Sequence, residues 1–166
     1  DIAVVNGHLV GYEIKSNNDS LRRLKKQVKS YNAVFDKISI VVGDRHINSI
    51  QNYIPQWWGV IVSTRGPRGA VNFDIIRNAQ TNKNINPISM ARLLWRNEAE
   101  EILRQKKLPP RILRQPRETL YECIVDKLNI CEIRKFIRKY FKERKNWRCP
   151  EPLSRYDGLH QPVSTL

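Results

Sequence analysis

The types and spacing of three residues suit chemistry on a phosphate: Asp1, then Glu13 and Lys15 in the run Glu13-Ile14-Lys15. Alternation along an extended strand sends Glu13 and Lys15 to one face and Ile14 to the other. Two carboxylates converging with an ammonium could hold a hard divalent cation, Mg2+ or Mn2+, and polarise a water on it. Lys15 would then steady the attacking hydroxide or the phosphate. The competing reading of Glu-x-Lys is a solvent-facing ion pair. Gln27 and Tyr31 follow, four apart and so neighbours on one helical face. Gln27 lies at the edge of that helix's apolar stripe, where an amide could look toward the end of the strand pair. Its plainer reading is a boundary residue beside a core tyrosine.

These side chains need a hairpin and a helix to position them. Asp1 to Val5 reads as a strand, Asn6-Gly7 as a turn, and Leu9 to Lys15 as the returning strand. The turn brings Asp1 beside Glu13. Asn18 or Asp19 is expected to cap a helix reaching about Ala33, with Leu21, Leu24, Val28 and Tyr31 as its buried stripe. Arg22, Lys25, Lys26 and Lys29 fall opposite that stripe, and Arg23 falls near Gln27. Strands are expected over Lys37–Val42, Gly59–Ser63 and Ala70–Ile75, with a short helix from Asn48 to Tyr53. That order implies an α/β sandwich around a mixed sheet.

Beyond about Gln80 the period becomes helical. Ser89 is expected to cap a helix that continues through Glu98 to Lys107 and stops at Pro109-Pro110. Two more helices are expected over Glu118–Leu128 and Cys131–Lys145, the second basic and amphipathic. Its positions Ile133, Phe136, Ile137, Tyr140 and Phe141 read as core, while Arg134, Lys135, Arg138, Lys139 and Lys142 read as a nucleic-acid-facing surface. The helix pair also admits a helix-turn-helix reading. Three regions result: 1–80, a helical 81–147, and an irregular tail, 148–166.

The 166 residues carry 30 Lys+Arg against 16 Asp+Glu, a net charge of +14. Such a balance suits a polyanion, DNA foremost and RNA second, with anionic lipid as a further taker of the same charge. The longest apolar runs are too short for a membrane span. Cys123, Cys131 and Cys149 match no metal-knuckle spacing, as expected of reduced thiols in a cytoplasmic protein. Asp1 stands where a methionine would open a reading frame, so a longer native chain is expected. His46 and the pair Trp57-Trp58 read as turn and core residues before site residues. His8 reads as solvated, and His160 has no partner nearby in sequence.

Asp-x(11)-Glu-Ile-Lys on a hairpin, followed by Gln27-x-x-x-Tyr31 on a helix, resembles the PD-(D/E)XK nuclease superfamily. Gly11 to Ser16, Asp19 to Leu24, Gln27 to Tyr31, Val34 to Asp36, Gly43 to His46, Pro55 to Gly59 and Ala91 to Arg96 are similar to an uncharacterised bacterial family within it. The resemblance implies a restriction-endonuclease-like α/β/α core with a C-terminal helical extension. It also implies an Mg2+- or Mn2+-dependent endonuclease cutting DNA. Asp1, Glu13 and the Ile14 carbonyl would then hold the metal, Lys15 would act in catalysis, and Gln27 with Tyr31 would orient the site. A homodimer would be needed for paired double-strand cuts. The alternative is a non-catalytic nucleic-acid-binding module that keeps the nuclease-like fold.

Overall fold

The computed structural model describes residues 1–144, so expectations for Lys145, Cys149, His160 and the tail lie outside the described residues. Five strands form one sheet in the order β1-β2-β3-β4-β5: β1 (Ile2–Asn6), β2 (His8–Lys15), β3 (Lys37–Gly43), β4 (Gly59–Arg65) and β5 (Val71–Arg77). β1 and β5 are antiparallel to their neighbours, while β2, β3 and β4 run parallel. The first hairpin is tight: Asn6 pairs with His8 across Gly7 alone, whose φ of 68° is one that glycine adopts without a side-chain clash.

The parallel pairs are joined through α1 (Leu24–Asn32) and α2 (Ile47–Ile50). Both crossovers step the same way along the sheet. With the right-handed connection that governs such units, both helices therefore fall on the same face. Their apolar residues do meet there. Leu24, Val28 and Tyr31 from α1 and Ile50 from α2 pack with Ile38, Ile40, Val42, Val60 and Val62. Trp58 is fully buried in this cluster and Trp57 only partly, as a core pair would be.

The second sheet face departs from the expected three layers. A sheet acquires helices on both faces when its strand order reverses, and this order never does. Among the described residues the α/β class and the mixed sheet stand, but the nuclease-like α/β/α core does not. Ile2, Val4, Ile14, Val71, Phe73 and Ile75 are exposed instead.

Several boundaries move for local reasons. Ser20 is the cap in place of Asn18 or Asp19, accepting from Arg22 N–H, and a 3-10 turn over Leu21–Arg23 precedes α1. Asp44–His46 likewise forms a 3-10 turn ahead of α2. The helix expected from Ser89 onward is two, α3 (Pro87–Ala91) and α4 (Arg96–Gln105). Asn86 caps the first, and the Glu98 side chain accepts from Trp95 N–H at 2.7 Å to restart the second. Pro110 opens α5 (Pro110–Leu113), fitting proline's preference for the first helical position. α6 (Arg117–Lys127) and α7 (Ile130–Glu143) follow.

α3, α4, α6 and α7 share a second core around Leu94, Ile102, Leu103, Leu120, Ile124 and Ile137. Two buried acids bind this layer together and to the sheet. Asp36 accepts from Leu9 N–H at 2.8 Å and faces Arg134 Nε of α7 at 3.0 Å. Glu98 receives two bonds from Arg144, 2.7 and 2.6 Å, while Arg144 lies against the rings of Trp95 and Phe141. No helix among the described residues is long and apolar enough to cross a membrane.

Candidate functional site

The hairpin and α1 gather the five residues singled out in the sequence. Glu13 and Lys15 share the helix-covered face of β2, with Glu13 wholly buried and Lys15 nearly so. Lys15 Nζ lies 2.7 Å from Glu13 Oε1 and 3.1 Å from Gln27 Oε1, while Gln27 Nε2 donates to Glu13 Oε1 at 2.8 Å. Tyr31 donates to Asp1 Oδ2 at 2.9 Å. Its ring is held edge-on by Phe35 and stacked by Trp58, itself anchored through Nε1 to Asn32. Burial, reinforced by the Glu13 carboxylate, pushes the Tyr31 hydroxyl up to about 12. Ile14 turns its side chain to the open face, as alternation requires.

Glu13 Oε1 is therefore neutralised and doubly bonded, whereas Oε2 is buried with no hydrogen-bond partner. A buried acceptor in that state carries a desolvation cost that a proton donor or a cation would relieve. No group of three or more His, Cys, Asp or Glu side chains suited to a metal occurs among the described residues.

Next to this centre, at the carboxyl ends of β2 and β3, lie two adjoining concavities of about 480 and 310 Å3. Ligands of parallel sheets favour such ends, where loops diverge from the strands. Lys15, Arg22, Arg23, Arg45 and His46 contribute to the lining. The loop between β2 and the 3-10 turn is fastened by Asp19, whose carboxylate accepts from Ser16 Oγ and Ser16 N–H at 2.8 Å each. Those bonds hold the Asp19 carboxyl below its ordinary range. Asn17 ties the same loop to the next one, donating to Asp44 and accepting from Arg45 N–H. His46 is buried, its Nε2 3.1 Å from the Ser16 carbonyl, so it braces the loop. Among the described residues Arg22, Arg23 and Arg45 have no ion-pair partner.

Arg23 lines the second concavity, and Arg22 and Arg45, which sequence reasoning did not single out, line the concavities with it. A helical wheel of about 100° per residue puts Arg22 on the outer face, but Leu21–Arg23 is a 3-10 turn, to which that angle does not apply. Arg45 carried a weak signal, since it follows the glycine that closes a parallel strand. Lys25, Lys26 and Lys29 are exposed on α1, away from these concavities. On α7, Lys135, Lys139 and Lys142 are exposed and Arg138 is half-buried. Arg134 is engaged with Asp36, which removes it from a free basic surface. Ile133, Ile137 and Tyr140 are buried in the helical core rather than presented for stacking.

The convergence of Glu13, Lys15 and Gln27 has an entirely structural explanation, because a buried acid needs a counter-charge and donors whatever its task. Comparison with known proteins decides against the nuclease reading. The chain matches protein cII of Enterobacteria phage P4 with 28% identity over 164 residues, 99% of this chain and 61% of that protein. It therefore spans about three-fifths of the length of the curated relative it matches. No solved structure matches it. The family model that does match, bacteriophage P4 protein cII, covers residues 1–149. This overturns the resemblance to PD-(D/E)XK nucleases. With it go the endonuclease and hydrolase assignments and the alternative of a binding module built on a nuclease-like fold. Over nearly all its length, the chain belongs to the bacteriophage P4 protein cII family.

Proposed function

We propose that this chain binds DNA through the concavities at the carboxyl ends of β2 and β3. One observation carries the reading: three guanidinium groups without ion-pair partners among the described residues, from Arg22, Arg23 and Arg45, border those concavities. Guanidinium groups pair with phosphate oxygens bidentately, and phosphate contacts set the position of a protein on the duplex. The net charge of +14 adds long-range attraction.

Fluorescence anisotropy with a labelled duplex of about 20 base pairs tests the reading, with single-stranded DNA and RNA of equal length beside it. Arg22→Glu and Arg45→Glu should each weaken binding by tenfold or more, and each lost phosphate contact should lower the salt slope by about one. Failure to bind at low salt would end the proposal. Unchanged affinity in both variants, with loss on reversing Lys135 and Lys139, would move the interface to α7.

The orphaned Glu13 Oε2 favours a second reading, in which Mg2+ or Mn2+ is held by Glu13 and Asp1 with the Ile14 carbonyl. Mg2+ commonly takes only one or two carboxylates and keeps several waters, so two acids are a sufficient set. When bound, such an ion would supply a positive charge next to the phosphate-binding rim. Millimolar Mg2+ or Mn2+ should raise the unfolding temperature of the wild-type chain and leave Glu13→Gln unmoved. An unshifted wild type would refute it.

A further inference from the structure

The bare face of the sheet is chemically unlike the rest of this molecule. Ile2 and Val4 from β1, Ile14 from β2, and Val71, Phe73 and Ile75 from β5 are 41 to 64% exposed. Strand pairing puts them on one surface: Ile2 faces Tyr12, Ile14 faces Val41, Val41 faces Ile61, and Ile61 and Ser63 face Ile75 and Phe73. A concavity of about 830 Å3 lies over one end, lined by Ile2, Tyr12, Ile14, Val41, Val71 and Phe73 among others. Soluble monomers rarely leave a contiguous apolar surface of this kind uncovered.

We propose that this face is a homodimer interface on which a second copy of the chain packs sheet to sheet. Two arguments single out a second copy. The first is area. Half-exposed side chains of this size carry on the order of 100 Å2 each, so six per copy supply about 1,200 Å2 across a two-fold axis, where specific interfaces begin. The half-buried Val10, Tyr12, Val41 and Ile61 lie among them and add to that figure. The second is charge. A body carrying +14 repels its own copy, and the six exposed side chains of this face carry no charge, while Lys37 beside Val10 and Arg65 beside Val71 stand at the ends of their strands. A two-fold contact needs a surface complementary to itself, and a sheet face whose exposed centre is apolar meets that condition. The interface is independent of the DNA reading.

Sedimentation velocity of the 166-residue chain over about 1–100 µM tests the proposal. The wild type is expected to dimerise in this range. Phe73→Glu and Ile75→Lys, whose side chains are mostly exposed in a single chain, should each raise the dimer dissociation constant by tenfold or more. Unchanged far-ultraviolet circular dichroism would show that the fold survives, and the milder Val71→Thr should weaken the dimer by a smaller factor. Because the contact is apolar between like-charged bodies, added salt should tighten it. A wild type that stays monomeric to 100 µM overturns the proposal, as does a dimer indifferent to all three substitutions. So does a longer version of the protein that is monomeric yet loses stability on Phe73→Glu, because its own additional segment would then cover the face.

Discussion

Glu13 and Lys15 illustrate how a pair of side chains can be foreseen in position and misread in purpose. Alternation and the Asn6-Gly7 turn were enough to put them on one face beside Asp1, and the i, i+4 spacing was enough to add Gln27 and Tyr31. What spacing does not carry is burial. With Glu13 wholly buried and Lys15 Nζ at 2.7 Å, the pair is desolvated, and each charge needs the other whether or not a ligand binds. Lys15→Met should therefore cost about 3–5 kcal/mol, because it leaves a carboxylate buried without a counter-charge. Glu13→Gln together with Lys15→Met should cost much less than the two single changes summed, a coupling of about 2 kcal/mol or more. Urea unfolding of the four proteins measures it. A loss under about 1 kcal/mol for Lys15→Met would mean that the pair is solvated.

Where elements begin and end was less legible than what they are. The strands and most helices followed from their periods, but the helix expected from Ser89 through Lys107 breaks at residues 92–95 without a proline or glycine to announce it. The restart has a local half and a tertiary half: Glu98 takes the Trp95 N–H three residues back, and Arg144 then fixes Glu98 from 46 residues away. α7 starts on local bonds to its cap alone. Asn129 Oδ1 accepts from both Cys131 and Glu132 N–H at 3.0 Å, and Glu132 returns a bond to Asn129 N–H. The Lys106 ammonium at 2.9 Å, with that backbone bond, holds the Glu132 carboxyl below its ordinary value. Asn129→Ala should remove about 1 kcal/mol, within a range of about 0.5–2, by thermal or urea unfolding. Asn129→Gly should remove only a few tenths.

Among the described residues the strand order explains the asymmetry, one face of the sheet helical and the other bare, with basic loops at the carboxyl ends of the parallel strands. Sequence reasoning reached the mixed sheet but not the bare face, because the exposed β5 reads like any buried strand: Val71, Phe73 and Ile75 alternate with polar residues regardless of what covers them. The two surfaces should answer to salt in opposite directions. Raising NaCl from about 50 to 200 mM should weaken retention on DNA by counterion release and strengthen self-association by screening. Anisotropy and sedimentation at matched salt would read both. A common direction for the two would mean that one surface serves both contacts.

The buried acids of the two halves also differ in how long they must wait for a partner as the chain leaves the ribosome. Lys15 emerges two residues after Glu13, so this pair is complete almost as soon as it exists, whereas Asp36 must wait for Arg134. Glu98 must wait for Arg144. Vectorial synthesis therefore delivers the Glu13–Lys15 pair early and the stitches made by Arg134 and Arg144 late. Until residue 144 is out, the nascent layer has an uncompensated acid at its centre and a reason to stay open.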